Sequence, residues 1–204
     1  MSIFAARRDN LRRLLAEKQL PALLVTDERN VTYLTGFTGD SSYLLVARER
    51  ELLITDRRYE TQLGEECPGL DLAIRGPGTK LPDFTAETVG KLELPCLGIE
   101  ADTLTVGAYE KFRTVMKTTQ WASTSGLVEK LREVKDAGEI EEIRRAVRLA
   151  ERAFAVTRAS LRLGRSEKEV ADELEYQIRL FGGACGAFPS IIGVGPRAAL
   201  PHGR

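Results

Sequence analysis

The feature that most constrains this chain is a change of hydrophobic period near residue 125. Before it, short apolar runs alternate with stretches of helical spacing. After it, two long helical stripes stand beside one short strand-like run. Alternating helices and short apolar strands predict an α/β layer structure, a mixed sheet with helices on both faces. Two helices and a lone strand predict something else, because a single strand cannot satisfy its own backbone groups.

In the first region, residues 3–18 read as an amphipathic helix with Phe4, Leu11, Leu14 and Leu15 on one side. Pro21 punctuates it, and Ala22–Thr26 reads as a buried strand. A polar segment, Asp27 to Asn30, leads into Val31–Phe37. The runs Tyr43–Ala47 and Glu51–Thr55, separated by Arg48-Glu-Arg50, have the spacing of a hairpin. Helices are then expected at 58–65, 81–92 and 106–116, alternating with strands at 70–74, 96–99 and 120–122.

In the second region, Leu127–Lys135 is helical and charged. Asp136 with Glu139, and Ser166 with Glu169, have the spacing of capping boxes. Behind the first, Ile140, Ile143, Val147, Ala150, Phe154, Thr157 and Leu161 form one stripe over about six turns. Behind the second, Val170, Leu174 and Ile178 recur at four-residue steps. Gly182-Gly183 closes that helix, and Ser190–Val194 reads as a strand. The expected domains are therefore 1–125 and 126–204, with the second incomplete and its remaining strands beyond Arg204. The stripe from Ile140 is expected to be core, covered by those strands.

Thirty basic residues balance thirty acidic ones. That argues against a general electrostatic grip on nucleic acid or an anionic membrane. No apolar run approaches the ~20 residues needed to span a bilayer, and the N-terminus lacks the apolar segment of a signal peptide. Cys67, Cys96 and Cys185 are far apart and odd in number, which disfavours structural zinc and a disulfide framework and fits a reducing cytoplasm.

The only histidine, His202, sits on a Pro-His-Gly turn after the last apolar run. A loop presenting one imidazole after a strand is a common site geometry. Asp56 is placed to cap the helix that follows it. Arg57 or Arg58 beside it has the chemistry to bind a carboxylate bidentately across a dimer interface. Glu65 and Glu66 read as a solvated helix face. Gly193-Val-Gly195 is too short for a phosphate loop. Cys185 lacks a second histidine to activate it as a nucleophile.

Four segments, in order along the whole chain, carry a family resemblance. They are Asn30–Phe37, Thr55-Asp-Arg-Arg-Tyr59, Leu131–Asp136 with Glu139–Arg144, and Phe188–Ile192 through Leu200-Pro-His202. With them the chain resembles the pita-bread metallopeptidases, in the Xaa-Pro aminopeptidase and prolidase branch that shares its architecture with creatinase. The resemblance implies a creatinase-type N-terminal α/β domain. The first helices and strand of an α+β pita-bread catalytic domain would follow it.

It further implies a hydrolase for the bond before proline, acting on peptides with proline at the second position. Proline locks φ and lacks the amide N–H, so peptidases that grip an extended backbone lose a donor there. Two divalent metal ions, manganese, cobalt or zinc, would activate water in the whole protein. Their five ligands would lie beyond this chain, which is expected to hold no metal and to be inactive alone. The resemblance makes His202 a pocket donor to the substrate or the developing oxyanion, and no metal ligand. It makes Thr38-Gly-Asp-Ser-Ser42 a loop able to reach a partner subunit's active site, with Thr38, Asp40 and Arg57 as substrate-loop candidates. A cytoplasmic homodimer is implied. The alternatives are a metal-free creatinase-like amidinohydrolase, a binding protein that kept the fold without the ligands, or a 204-residue dimerisation module.

Overall fold

The computed structural model of the chain describes residues 2–201. The chain divides into two compact units, Met1–Val134 and Lys135–Arg204.

The first unit is built on a six-stranded sheet. In chain order it runs α1 (Ile3–Glu17), β1 (Ala22–Val25), α2 (Glu28–Thr35), β2 (Tyr43–Ala47), β3 (Glu51–Asp56), a 3₁₀ turn (Arg57–Tyr59), α3 (Glu60–Glu66), β4 (Leu72–Arg75), α4 (Leu81–Gly90), β5 (Cys96–Glu100), α5 (Val106–Val115), β6 (Gln120–Thr124) and α6 (Leu127–Glu133). The spatial order is β4-β3-β2-β1-β5-β6. The expected hairpin is present as antiparallel β2 and β3, with Leu44 opposite Leu53. β1 pairs antiparallel with β2 and parallel with β5, and both edge strands, β4 and β6, are parallel to their neighbours.

Each central strand feeds two cores. Leu23 and Val25 of β1, with Leu44, Val46 and Leu53, pack against Leu11, Leu15, Val31, Leu34 and Leu63 of α1, α2 and α3. On the other face Ala22, Leu24, Leu45, Leu52 and Ile54 pack against Ala86, Val89 and Phe112 of α4 and α5. Helices on both faces explain why β1 is an unbroken apolar run, since every one of its residues is buried.

The boundary lies later than the sequence reading places it. Leu127 and Val128 of α6 are buried in the first core, so α6 packs with the first unit and the division falls after Val134. Amphipathic spacing identifies the helix but cannot say which body it joins.

The second unit contains α7 (Ala137–Ala159), α8 (Glu167–Leu180) and a 3₁₀ turn (Gly195–Ala199). Both capping boxes are formed. Asp136 and Ser166 each accept from the amide of Glu139 and Glu169, whose carboxylates accept from the cap amides. α7 stops at Ala159, so Leu161 lies beyond it. The residues that α7 buries are Ala153 and Thr157, and α8 buries Gln177. Thr157 is the stripe residue that α7 buries, while Ile140, Ile143, Val147 and Phe154 stay exposed. Ser190–Val194 forms no strand among the described residues. Val194 is extended, at φ −119° and ψ 142°, but a strand is defined by a backbone ladder, and it forms none among the described residues.

Candidate functional site

The loop after α2 is fixed by its glycines and one aromatic. Gly36 caps α2 at φ +82°, and a Cβ there would lie 2.6 Å from the Phe4 ring. At Gly39 a Cβ would lie 2.4 Å from Phe37 and 2.9 Å from Tyr59. Phe37 is fully buried and meets Tyr59 edge to face, at 5.2 Å between ring centres. Its amide donates to Thr35 Oγ1 at 3.0 Å.

The polar groups of the loop are tied down within the unit. The Thr38 amide and hydroxyl donate to Glu66 at 2.8 and 2.7 Å, and Gln62 donates to Thr38 Oγ1 at 2.9 Å. Burial pushes the Glu66 carboxyl up, but the bonds from Thr38 and Gln62 outweigh it and hold the group below its ordinary value. Glu66 is thus a loop anchor, where the sequence suggests a solvated face. Asp40 accepts from the Tyr59 hydroxyl. That bond, with burial, raises the Tyr59 phenol. The Ser41 amide donates to Glu28 at 3.2 Å.

Asp56 caps the turn after β3, accepting from the Arg58 amide at 2.9 Å. Its carboxylate also takes Arg58 Nε and Nη2 at 2.9 and 2.7 Å, and Arg75 Nη2 at 2.7 Å. Arg58 leads in holding its pKa down at about 2, with Arg75 adding to the effect. This separates the two neighbouring arginines. Arg58 is committed to Asp56, while Arg57 has a side chain 78% exposed and one bond, Nε to Glu60 at 3.3 Å. The structure therefore brings Thr38 and Asp40 onto one pinned loop. Arg57 bonds to neither of them.

The last candidate, His202, lies outside the described residues. The stretch before it is anchored to the start of α8. The Val194 amide donates to Glu167 at 2.9 Å, and Arg197 pairs with the same carboxylate at 3.6 Å. Ile191, Ile192, Gly193, Arg197, Ala198 and Leu200 line a small cavity of about 150 Å³ there.

Sequence reasoning missed one polar cluster entirely. Glu100, the last residue of β5, is buried. Its carboxylate accepts from the amides of Thr26 and Asp27 at 2.5 and 2.8 Å and from Asn30 Nδ2 at 2.7 Å. Asn30 Nδ2 also donates to Glu129 at 2.6 Å, and Arg132 Nη1 donates to Asn30 Oδ1 at 3.0 Å. Burial pushes the Glu100 carboxyl up, the bonds from Asp27, Thr26 and Asn30 oppose this, and Glu129 adds to the rise. The partners lie 70 or more positions apart, so no local motif announces them.

Among the described residues no group of three or more His, Cys, Asp or Glu side chains is placed to hold a metal ion. No helix among them is long and apolar enough to cross a membrane. The three cysteines are free.

Comparison with known proteins extends these observations. Residues 7–134 match the Creatinase/Prolidase N-terminal domain, and residues 141–204 match Metallopeptidase family M24. A solved Xaa-Pro dipeptidase from Bacillus anthracis is 34% identical, with a TM-score of 0.90, over 98% of this chain and 56% of that one. An X-Pro aminopeptidase from Thermotoga maritima MSB8 is 32% identical, with a TM-score of 0.83, over 96% of this chain and 56% of the other. The uncharacterized peptidase YqhT of Bacillus subtilis is 32% identical over 96% of this chain. The chain spans 55% of that relative's length.

Proposed function

This chain belongs to the Creatinase/Prolidase N-terminal domain family, and from that premise we propose that the whole protein hydrolyses the peptide bond before proline. The observation that carries the proposal is the likeness to an Xaa-Pro dipeptidase along nearly the entire chain, through both units in order. The match of residues 141–204 to a metallopeptidase family supports a metal-dependent reaction. A pair of divalent ions, manganese, cobalt or zinc, would activate water and polarise the scissile carbonyl. The chain spans about half the length of the relatives it matches. Their ligands belong to the remaining part of the protein, and this chain alone hydrolyses nothing.

The roles left to this chain are binding and orientation. His202 donates a hydrogen bond to the substrate or the developing oxyanion. The loop carrying Thr38 and Asp40 faces a partner subunit's substrate in a cytoplasmic homodimer, and the exposed Arg57, which also pairs with Glu60, binds a carboxylate. Glu66 and Tyr59 support that reading by holding the loop in one conformation.

The test uses the whole protein. It is assayed with Xaa-Pro dipeptides and with longer peptides carrying proline second, under manganese, cobalt and zinc in turn. Release of the residue before proline supports the proposal, and the preferred length separates dipeptidase from aminopeptidase. No cleavage under any of the three metals overturns it, and hydrolysis of creatine instead would establish the amidinohydrolase alternative. His202→Ala is expected to lower kcat by roughly 10²–10³ with metal content retained, as for loss of one oxyanion donor.

A further inference from the structure

In open α/β sheets, ligands bind in crevices at the carboxyl ends of neighbouring parallel strands whose following helices pass to opposite faces. β1 and β5 form such a pair. They are parallel neighbours, Leu24 beside Ile99. α2, after β1, buries Val31 and Leu34 on one face of the sheet, and α5, after β5, buries Phe112 on the other. The donors that converge on the crevice are those a small anion needs. They are the amides of Thr26 and Asp27, where β1 ends, and the Asn30 side chain on the first turn of α2. The hydroxyls of Thr26 and Thr103 lie 3.3 and 3.5 Å from the same carboxylate oxygen.

The anion they hold is the chain's own Glu100. Asp56, at the end of β3, also sits between parallel strands, but two arginines neutralise it. Glu100 is held by neutral donors, and Arg132 bonds to the oxygen of the Asn30 amide whose nitrogen serves Glu100. A carboxylate held by backbone amides and one carboxamide is coordinated as a bound ligand is, with charge-assisted bonds.

We propose that Glu100 is an internal ligand: its carboxylate fills the β1–β5 crevice in place of a free carboxylate, and through Asn30 it fastens α6 to the sheet. Asn30 is the joint. Its amide nitrogen donates to Glu100 and to Glu129, and its oxygen accepts from Arg132, both on α6. The chain leaves the first unit at Val134, one residue after α6. The fastening therefore sets the point from which the chain departs. A carboxylate that served only as buried filling would leave neither a vacant cradle nor a loosened helix when removed.

Glu100→Ala, made in the whole protein, separates the two. Hydrogen exchange at 127–133 is expected to accelerate roughly 10-fold, the loss of one charge-assisted bond, while α4 and α5 keep their wild-type rates. Sodium formate is expected to raise the melting midpoint of the variant saturably and restore exchange at α6. Sodium chloride of equal ionic strength does neither, and formate leaves the wild type where chloride leaves it. Wild-type exchange at α6 in a folded variant overturns the fastening. A formate response equal in variant and wild type overturns the cradle. If Glu100→Ala folds only with formate, the cradle stands; if formate does not recover folding, the cradle falls. Asn30→Ala then decides the joint. α6 must loosen while the amides of Thr26 and Asp27 stay protected, and unchanged α6 exchange overturns it.

Discussion

The two units carry apolar stripes of the same kind and bury them to opposite extents. In the first unit Leu11 and Leu15 of α1, Val31 and Leu34 of α2 and Phe112 of α5 are essentially inaccessible, because the sheet lies beneath these helices. In the second, Ile143 of α7 is 52% exposed and Phe154 58%, and what α7 buries is the small pair Ala153 and Thr157. Hydrophobic spacing states which face of a helix seeks cover. It does not supply the cover, which takes a second layer of structure. One chain thus shows a pattern satisfied and the same pattern waiting.

The sharpest way to break that contrast is to remove equal apolar bulk from each side of it. Phe112→Ala opens a cavity between α5 and the sheet and is expected to cost about 3–5 kcal/mol. Urea unfolding of the first unit, followed by Trp121 fluorescence, reads it, since Trp121 stacks 6.2 Å from Phe112. Phe154→Ala deletes the same ring from an exposed position and is expected to cost less than about 1 kcal/mol in this chain. Equal losses at the two sites would mean that the stripe on α7 is covered in solution.

Much of the local structure in both units was legible from sequence pattern. The hairpin needed only two apolar runs and Arg48-Glu-Arg50 between them. The capping boxes at Asp136 and Ser166 needed only a three-residue spacing. What stayed illegible depends on distance along the chain. The Glu100 carboxylate meets Thr26, Asp27 and Asn30 only after β5 has been laid beside β1. The boundary after Val134 depends on which core Leu127 and Val128 enter. The run at Ser190–Val194 read as a strand because composition does not reveal whether a neighbour exists. In the candidate site, the glycines at 36 and 39 signalled a tight loop, but its ties to Glu66 and Tyr59 required the fold.

A second comparison sets buried against exposed charge. The Asp56 carboxylate is buried in the first unit between a half-buried Arg75 and an exposed Arg58, whereas both partners of ion pairs on α7 and α8, such as Lys168 with Asp172, lie in solvent. The folded Asp56 has a pKa of about 2, below the ordinary ~3.9 of an unfolded aspartate. Its contribution is therefore complete above about pH 4 and is lost as the pH falls toward 2. Asp56→Asn is expected to cost about 2 kcal/mol at neutral pH, since it removes charge-assisted bonds to Arg58 and Arg75. The difference from wild type should shrink through that acid window. A difference independent of pH from 6 to 2.5 would show that ionisation of Asp56 is not what holds the turn.

The smallest effect falls in the second unit and isolates local order from layer packing. Ser166 caps α8, accepting from the Glu169 amide at 3.3 Å while Glu169 accepts from the Ser166 amide at 2.7 Å. The Ser166 bonds hold the Glu169 carboxyl below its ordinary value. Ser166→Ala removes one half of this reciprocal pair and is expected to cost about 1 kcal/mol. Where a helix is held mainly by its packing, losing a cap frays one turn. Where it is held mainly by its own ends, the loss spreads along its length. α8 buries little beyond Gln177, so exchange is expected to quicken throughout 167–180. Capping α1 is the control: its Ser2 also accepts at the N-terminus, from Ala5, but Leu11 and Leu15 anchor that helix in the core. Ser2→Ala should therefore quicken only the first turn. Fraying confined to the first turn of both helices would show that α8 is supported along its length, and the contrast between the units would be one of surface chemistry alone.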